Sequence, residues 1–134
     1  MLLWAKKLLV RVVAGELGIG CPVIAALKGS DYVLLVTEPT LSALSDLQRI
    51  MEVVRGFRIP AGAVLNRCDM HEESARTTRQ WLQENDLPLL VEIPTDPYLP
   101  QALAQGDLAV TLYPDAPSSA ALKQLYNILE NLLF

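Results

Sequence analysis

The chain has 134 residues, of which 51% are hydrophobic and 19% charged; that is enough apolar side chain for one small domain with a packed core, and too much for an intrinsically disordered segment. The formal net charge is −4 and no basic run stands out, which argues against nucleic acid or an anionic membrane as the main partner. The longest apolar runs, such as Val33–Val36, fall far short of a bilayer's thickness, so no membrane insertion is expected.

The opening Met1–Val13, MLLWAKKLLVRVV, carries Lys6, Lys7 and Arg11 inside its apolar stretch rather than ahead of it. That fits a short helix running into a strand better than a signal peptide. Four Val/Ile/Leu-rich runs read as strands buried on both faces: Leu8–Val13, Tyr32–Thr37, Gly62–Asn66 and Leu89–Ile93. Helical segments lie between and after them. Pro22–Leu27 follows a glycine-rich turn and opens on a proline. Leu41–Arg55 has an apolar stripe at Leu41, Leu44, Leu47, Met51 and Val54, with Gly56 as its C-terminal cap. Glu72–Asn85 is preceded by Asp69, with Glu72 three residues on, in the manner of a capping box. Pro97–Ala104 has Asp96 as N-cap, Pro97 in first position and Gly106 near its end. Pro117–Leu133 places Leu122, Leu125, Leu129 and Leu132 on one face. The order β-α-β-α-β-α-β-α-α predicts an α/β fold: a mainly parallel sheet of about four strands with helices on both faces. Pro94–Pro117, rich in proline, is expected to wrap over the carboxyl edge of that sheet.

Ligands of open α/β sheets bind beyond the carboxyl ends of the strands. Four segments fall there: Ala14–Pro22 (AGELGIGCP), Thr37–Thr40 (TEPT), Asn66–Asp69 (NRCD) and Pro94–Pro97 (PTDP). The glycines Gly15, Gly18 and Gly20 allow backbone N–H groups to approach a phosphate. Their spacing matches neither standard glycine-rich pattern, so a plain tight turn is the better reading of the residues alone. Asn66 at a strand end can donate to and accept from the edge of a base; a turn residue leading into a helix cap explains it equally well. In PTDP a helix cap is the stronger reading. The single histidine, His71, reads as a solvated residue at a helix start. Cys21 and Cys68 are far apart and belong to no C-x-x-C pair; they read as core thiols of a reducing cytoplasm. No Ser/His/Asp set assembles.

In order and spacing, GIGCPVIAALKGSDYVLLVTEPTLSALSDL, AVLNRCD and EIPTDPYLPQALAQGD resemble the C-terminal half of MinD/ParA-type P-loop ATPases. Among these the similarity is closest to the MinD-superfamily ATPases that carry an inserted ferredoxin-like (4Fe-4S) domain. The resemblance covers about Val12 to the C-terminus. It implies a three-layer P-loop NTPase-like fold. It implies a single domain over 1–134, a partial nucleotide-binding domain of the CobQ/CobB/MinD/ParA type lacking the P-loop half. It implies ATP and Mg²⁺ as ligands, with Asn66 at the adenine and Arg67 beside it. Pro94, Thr95 and Asp96 then lie near the base, and Gly18 and Gly20 in a switch-like turn near the γ-phosphate. The family's K-G-G-x-G-K-[ST] loop is not in this sequence, the family's Mg-site aspartate position is Ala14, and the cysteine-rich insertion is missing. No ATP hydrolysis by the chain alone and no iron–sulfur cluster are therefore expected. Two functions remain open: a partial ATP-binding domain, or a non-enzymatic interaction module. The second would dimerise or pair with a P-loop-containing chain through a sheet edge left open. A cytoplasmic location is expected on either reading.

Overall fold

The computed structural model describes the backbone of Leu8–Val13, then residues 24, 25 and 27–133. The expectations placed on Met1–Lys7, Ala14, Gly15, Gly18, Gly20, Cys21 and Pro22 lie outside the described residues.

Four strands form one sheet: β1 (Leu8–Val13), β2 (Tyr32–Thr37), β3 (Ala61–Asn66) and β4 (Leu89–Ile93). They lie in chain order, β1-β2-β3-β4, and every pair is parallel. The helices are α1 (Leu41–Gly56), α2 (Glu72–Glu84), α3 (Tyr98–Ala104), α4 (Ala109–Leu112) and α5 (Pro117–Leu133). Ile24, Ala25 and Leu27 are also helical, ahead of β2.

Side-chain alternation on the strands builds two apolar layers. Val33, Leu35 and Ala63 face the helices of the two crossovers, meeting Leu44, Leu47 and Val54 of α1 and Leu82 of α2. Leu34, Val64, Val91 and Ile93 face the other way, against Ala121, Leu122, Leu125, Ile128 and Leu129 of α5. Sequential parallel strands with right-handed crossovers put both crossover helices on one face; α5, arriving after the last strand, covers the face they leave. Leu35, Leu47 and Leu65 are fully buried, and each such side chain contributes about 1.5–3 kcal/mol by leaving water. The register shifts at Ala63/Val64, where Ala63 pairs Leu89 and Val64 pairs Val91. Leu90 is the extra residue, and it joins the α5 layer beside Val91.

Several local expectations are corrected. Leu41, at the start of its helix, is 70% exposed, and Leu132 turns to solvent while Leu133 is buried and Ile128 packs half-buried against the sheet. The helical period of 3.6 carries a four-residue stripe off the face by its last turn. Gly56 is the last residue of α1 rather than its left-handed cap. Phe57 continues on to pack against the core, and the positive-φ residue is Arg58, at 57°. The N-cap of α2 is His71, whose Nδ1 accepts from the Ser74 N–H at 3.2 Å; Asp69 is engaged elsewhere. α3 begins one residue later than expected, at Tyr98. Gly106, at φ 74°, closes α3 as expected, with Asp107 N–H donating to the Ala102 carbonyl at 3.1 Å. The short α4 adds a helix inside the proline-rich segment.

Candidate functional site

The carboxyl ends of β2, β3 and β4 are tied together by side chains that the strands deliver there. Asn66 is the last residue of β3 and stands in register with Ile93. Arg67 then takes a left-handed conformation, φ 51°, which ends the strand. Its guanidinium Nε lies 4.0 Å from Glu38 of T-E-P-T at the end of β2. Cys68 N–H donates to the Ile93 carbonyl at 3.0 Å. Asp69 Oδ1 accepts from the Thr95 N–H at 2.8 Å. Hydrogen bonds from the Thr95 backbone and side chain hold the Asp69 carboxyl below its ordinary value. Burial, followed by the negative charges of Glu92 and Asp69, pushes the Cys68 thiol up, so it stays protonated at neutral pH and is a poor nucleophile.

Asp96 closes the other side. It is buried, with 5% of its surface exposed. Its Oδ2 accepts from the Ser118 hydroxyl at 2.6 Å and the Ser118 N–H at 3.0 Å; its Oδ1 accepts from the Tyr98 N–H at 2.9 Å. The Ser118 hydroxyl is the main reason its pKa lies below the ordinary value. One carboxylate thus serves the starts of both α3 and α5. The N-cap position expected for Asp96 falls instead to Pro97, which makes no side-chain cap; Asp96, one residue earlier, joins the starts of two helices.

Between these two anchors lies a pocket of about 350 Å³, lined by Asn66, Arg67, Pro94, Thr95, Asp96, Pro97, Leu99 and Pro100. Its size is at the small end of ligand pockets, roughly 300–1,000 Å³. Three of the lining residues are proline, so its walls are apolar and rigid. The five residues expected near a base, Asn66, Arg67, Pro94, Thr95 and Asp96, all line this one pocket. Gly18 and Gly20 lie outside the described residues. Leu99 and Pro100 close the pocket from α3, as a segment crossing the carboxyl edge would. Sequence reasoning missed Asp69 and Ser118 as its anchors. Asp69 was visible in NRCD, but as a helix cap; Ser118 carried no signal beyond opening a helix.

T-E-P-T is largely structural. Thr40 caps α1, accepting from Ala43 N–H at 3.0 Å. Glu38 faces Arg67, and Thr37 is fully buried with no hydrogen-bond partner for its hydroxyl. Among the described residues no three of His, Cys, Asp and Glu gather as metal ligands would. No helix among them is long and apolar enough to cross a membrane.

No protein-family model matches the chain. It is 27% identical over 109 residues to an ATP-binding protein of Methanocaldococcus jannaschii, covering 81% of this chain and 41% of that protein. A second protein of the same organism is 43% identical over 63 residues, 47% of this chain and 23% of its own length. Among solved structures, the cell division ATPase MinD of Pyrococcus furiosus superposes with a TM-score of 0.71 at 27% identity, over 88% of this chain and 50% of that one. The septum site-determining protein MinD of Pyrococcus horikoshii, complexed with Mg-ADP, gives 0.70 at 26% identity, over 88% and 49%. The chain spans about half the length of these structures, and less of the curated relatives. With a parallel sheet covered by helices on both faces, these likenesses show that the chain has the fold of the MinD/ParA-type P-loop ATPases.

Proposed function

We propose that the pocket is the base-binding half of an adenine-nucleotide site. One observation carries this reading: Asn66 and Arg67 of N-R-C-D and all four residues of P-T-D-P, separate in sequence, line a single pocket at the carboxyl edge of a parallel sheet. The Asn66 amide offers both a donor and an acceptor to a purine edge. Pro94, Pro97, Leu99 and Pro100 are suited to flank the flat faces of a base. Asp96 contributes its backbone, since Ser118 and Tyr98 occupy its carboxylate. Gly18 and Gly20 are proposed for the phosphate side. The ATP-binding relative and the Mg-ADP complex of the P. horikoshii protein support the ligand class.

Phosphoryl transfer rests on positioning and charge neutralisation of the phosphates. The sequence has no K-G-G-x-G-K-[ST] loop. The chain alone is therefore proposed to bind ATP weakly, in the millimolar range (about −4 kcal/mol) or weaker, and not to hydrolyse it. The motif likeness to the iron–sulfur-associated MinD subgroup, and a cytoplasmic location, are proposed on sequence grounds.

A second reading, a scaffold that dimerises or pairs with a P-loop-containing chain, is favoured by the exposed apolar side chains on and around α3. Leu103 is 79% exposed and Leu108 70%. Amide chemical-shift titration with Mg-ATP, carried well above the millimolar range and run beside light scattering, separates the two. Shifts at the pocket that Asn66→Ala abolishes support the half-site. No shift at Asn66 or Thr95, with a dimer or larger species in solution, supports the scaffold and refutes the half-site.

A further inference from the structure

The segments T-E-P-T, N-R-C-D and P-T-D-P bring four charged side chains to the carboxyl ends of β2, β3 and β4: Glu38, Arg67, Asp69 and Asp96. Among the described residues that line the pocket, Arg67 is the one cation. Asp69 and Asp96 are ionised at neutral pH and bound by Thr95, Ser118 and Tyr98. The Glu38 carboxylate faces Arg67 Nε at 4.0 Å, close enough for attraction and too far for a hydrogen bond. The chain on either side of Glu38 is pinned. Thr37 and Pro39 are fully buried, and the Thr40 hydroxyl caps α1. A fixed backbone therefore delivers the carboxylate to this place.

Glu38 lies outside the pocket and acts on it through Arg67, which lines it. A phosphate entering at the rim gains the guanidinium only in competition with that carboxylate, and it meets the charges of Asp69 and Asp96 as well. An uncharged ligand meets none of this. Resting on the base-binding reading above, we infer that Glu38 is a specificity-determining residue for ligand charge: it offsets Arg67, so that the pocket takes an uncharged nucleoside as tightly as the corresponding free nucleotide.

The test uses the full chain and amide chemical-shift titrations with adenosine and adenosine 5′-monophosphate, which share base and sugar and differ in charge. They are run at about 0.1 M ionic strength, where charges act over about 10 Å. In the wild type the two ligands bind within about twofold of each other. Glu38→Gln tightens the monophosphate by about threefold to fivefold and leaves adenosine unchanged. Glu38→Asp keeps the charge and the wild-type ratio. Glu130→Gln removes the same charge twelve residues along α5 from Ser118, about 18 Å away, and also keeps that ratio. The amide spectrum reports whether each variant is folded. The wild type supplies a check that needs no variant: with the rim balanced, monophosphate affinity hardly changes as salt is raised, whereas an unopposed Arg67 makes it fall. Such a fall, an unchanged ratio in folded Glu38→Gln, or an equal gain in Glu130→Gln overturns the inference while the base-binding reading stands. If neither ligand shifts the signals of Asn66 and Thr95, the base-binding reading falls and this inference with it.

Discussion

Ser118 donates both its backbone N–H and its hydroxyl to the same carboxylate oxygen of Asp96, at 3.0 and 2.6 Å. The first residues of α5 are thereby fastened to the turn that forms one wall of the pocket. Asp96 has a pKa below its ordinary value of 3.8, chiefly through the Ser118 hydroxyl. A carboxylate with a depressed folded pKa adds stability that is complete above its unfolded pKa and is lost as pH falls through the folded one. Thermal unfolding followed from about pH 7 down to about pH 2 should show this loss beginning below the ordinary carboxylate value. Asp96→Asn should melt several degrees lower at neutral pH and lose part of that acid slope. Ser118→Ala should shrink this acid-linked loss and end it at higher pH, because the folded pKa moves back toward 3.8. An Asp96→Asn variant with an unchanged acid slope would assign the slope to other carboxylates.

Asn66 is half-buried at the pocket and makes no side-chain hydrogen bond among the described residues. Its amide is free to face a ligand, and the fold does not depend on it. Asn66→Ala should lower nucleotide affinity by roughly tenfold, the loss of a hydrogen-bonding pair, while changing stability by less than about 0.5 kcal/mol. Denaturant unfolding and the Mg-ATP titration, made on the same preparation, check both halves. A large loss of stability would make Asn66 a structural residue.

Much of the fold was legible because its strands are buried on both faces. Tyr32–Thr37 and Leu89–Ile93 begin and end in the structure where their apolar runs do in the sequence. Pro117–Leu133 was bounded equally well by its proline and its periodicity. Helix caps were less legible. His71 and Asp69 both precede Glu72, and composition favoured the aspartate; the structure spends Asp69 on Thr95, leaving the imidazole to cap. The pocket's anchors, Asp69 with Thr95 and Asp96 with Ser118, are contacts between residues more than twenty apart in sequence and leave no periodic trace.

Gly62 illustrates a constraint of the same non-local kind. A Cβ there would lie 2.8 Å from Leu90 Cδ1 and 2.9 Å from Leu90 Cγ, and would also strike the Tyr32 hydroxyl. Leu90 is the residue that the register shift inserts beside β3. Gly62→Ala should therefore cost about 1–3 kcal/mol of overpacking, read as a lower denaturant midpoint at unchanged slope. Adding Leu90→Ala should recover part of that loss, because the two side chains compete for one space. Strict additivity of the two substitutions would place the strain elsewhere.

Arg67 holds a left-handed backbone, φ 51°, and puts a largely exposed guanidinium beside Glu38 at the pocket mouth. A residue with a Cβ pays about 1–2 kcal/mol for that conformation, and glycine does not. The ion pair spans 4.0 Å and its arginine is 57% exposed, so it adds at most a few tenths of a kcal/mol. Backbone and side chain can be separated by two substitutions. Arg67→Gly and Arg67→Ala both remove the charge, but Arg67→Gly should be the more stable by about 1 kcal/mol. Both should weaken binding of a charged nucleotide to the same degree and leave adenosine binding nearly untouched, since the lost group is a cation at the rim. Equal stability of the two variants would mean that the turn relaxes out of the left-handed region once the guanidinium is gone. In that case Glu38, rather than the end of β3, sets the course of the chain into Asp69.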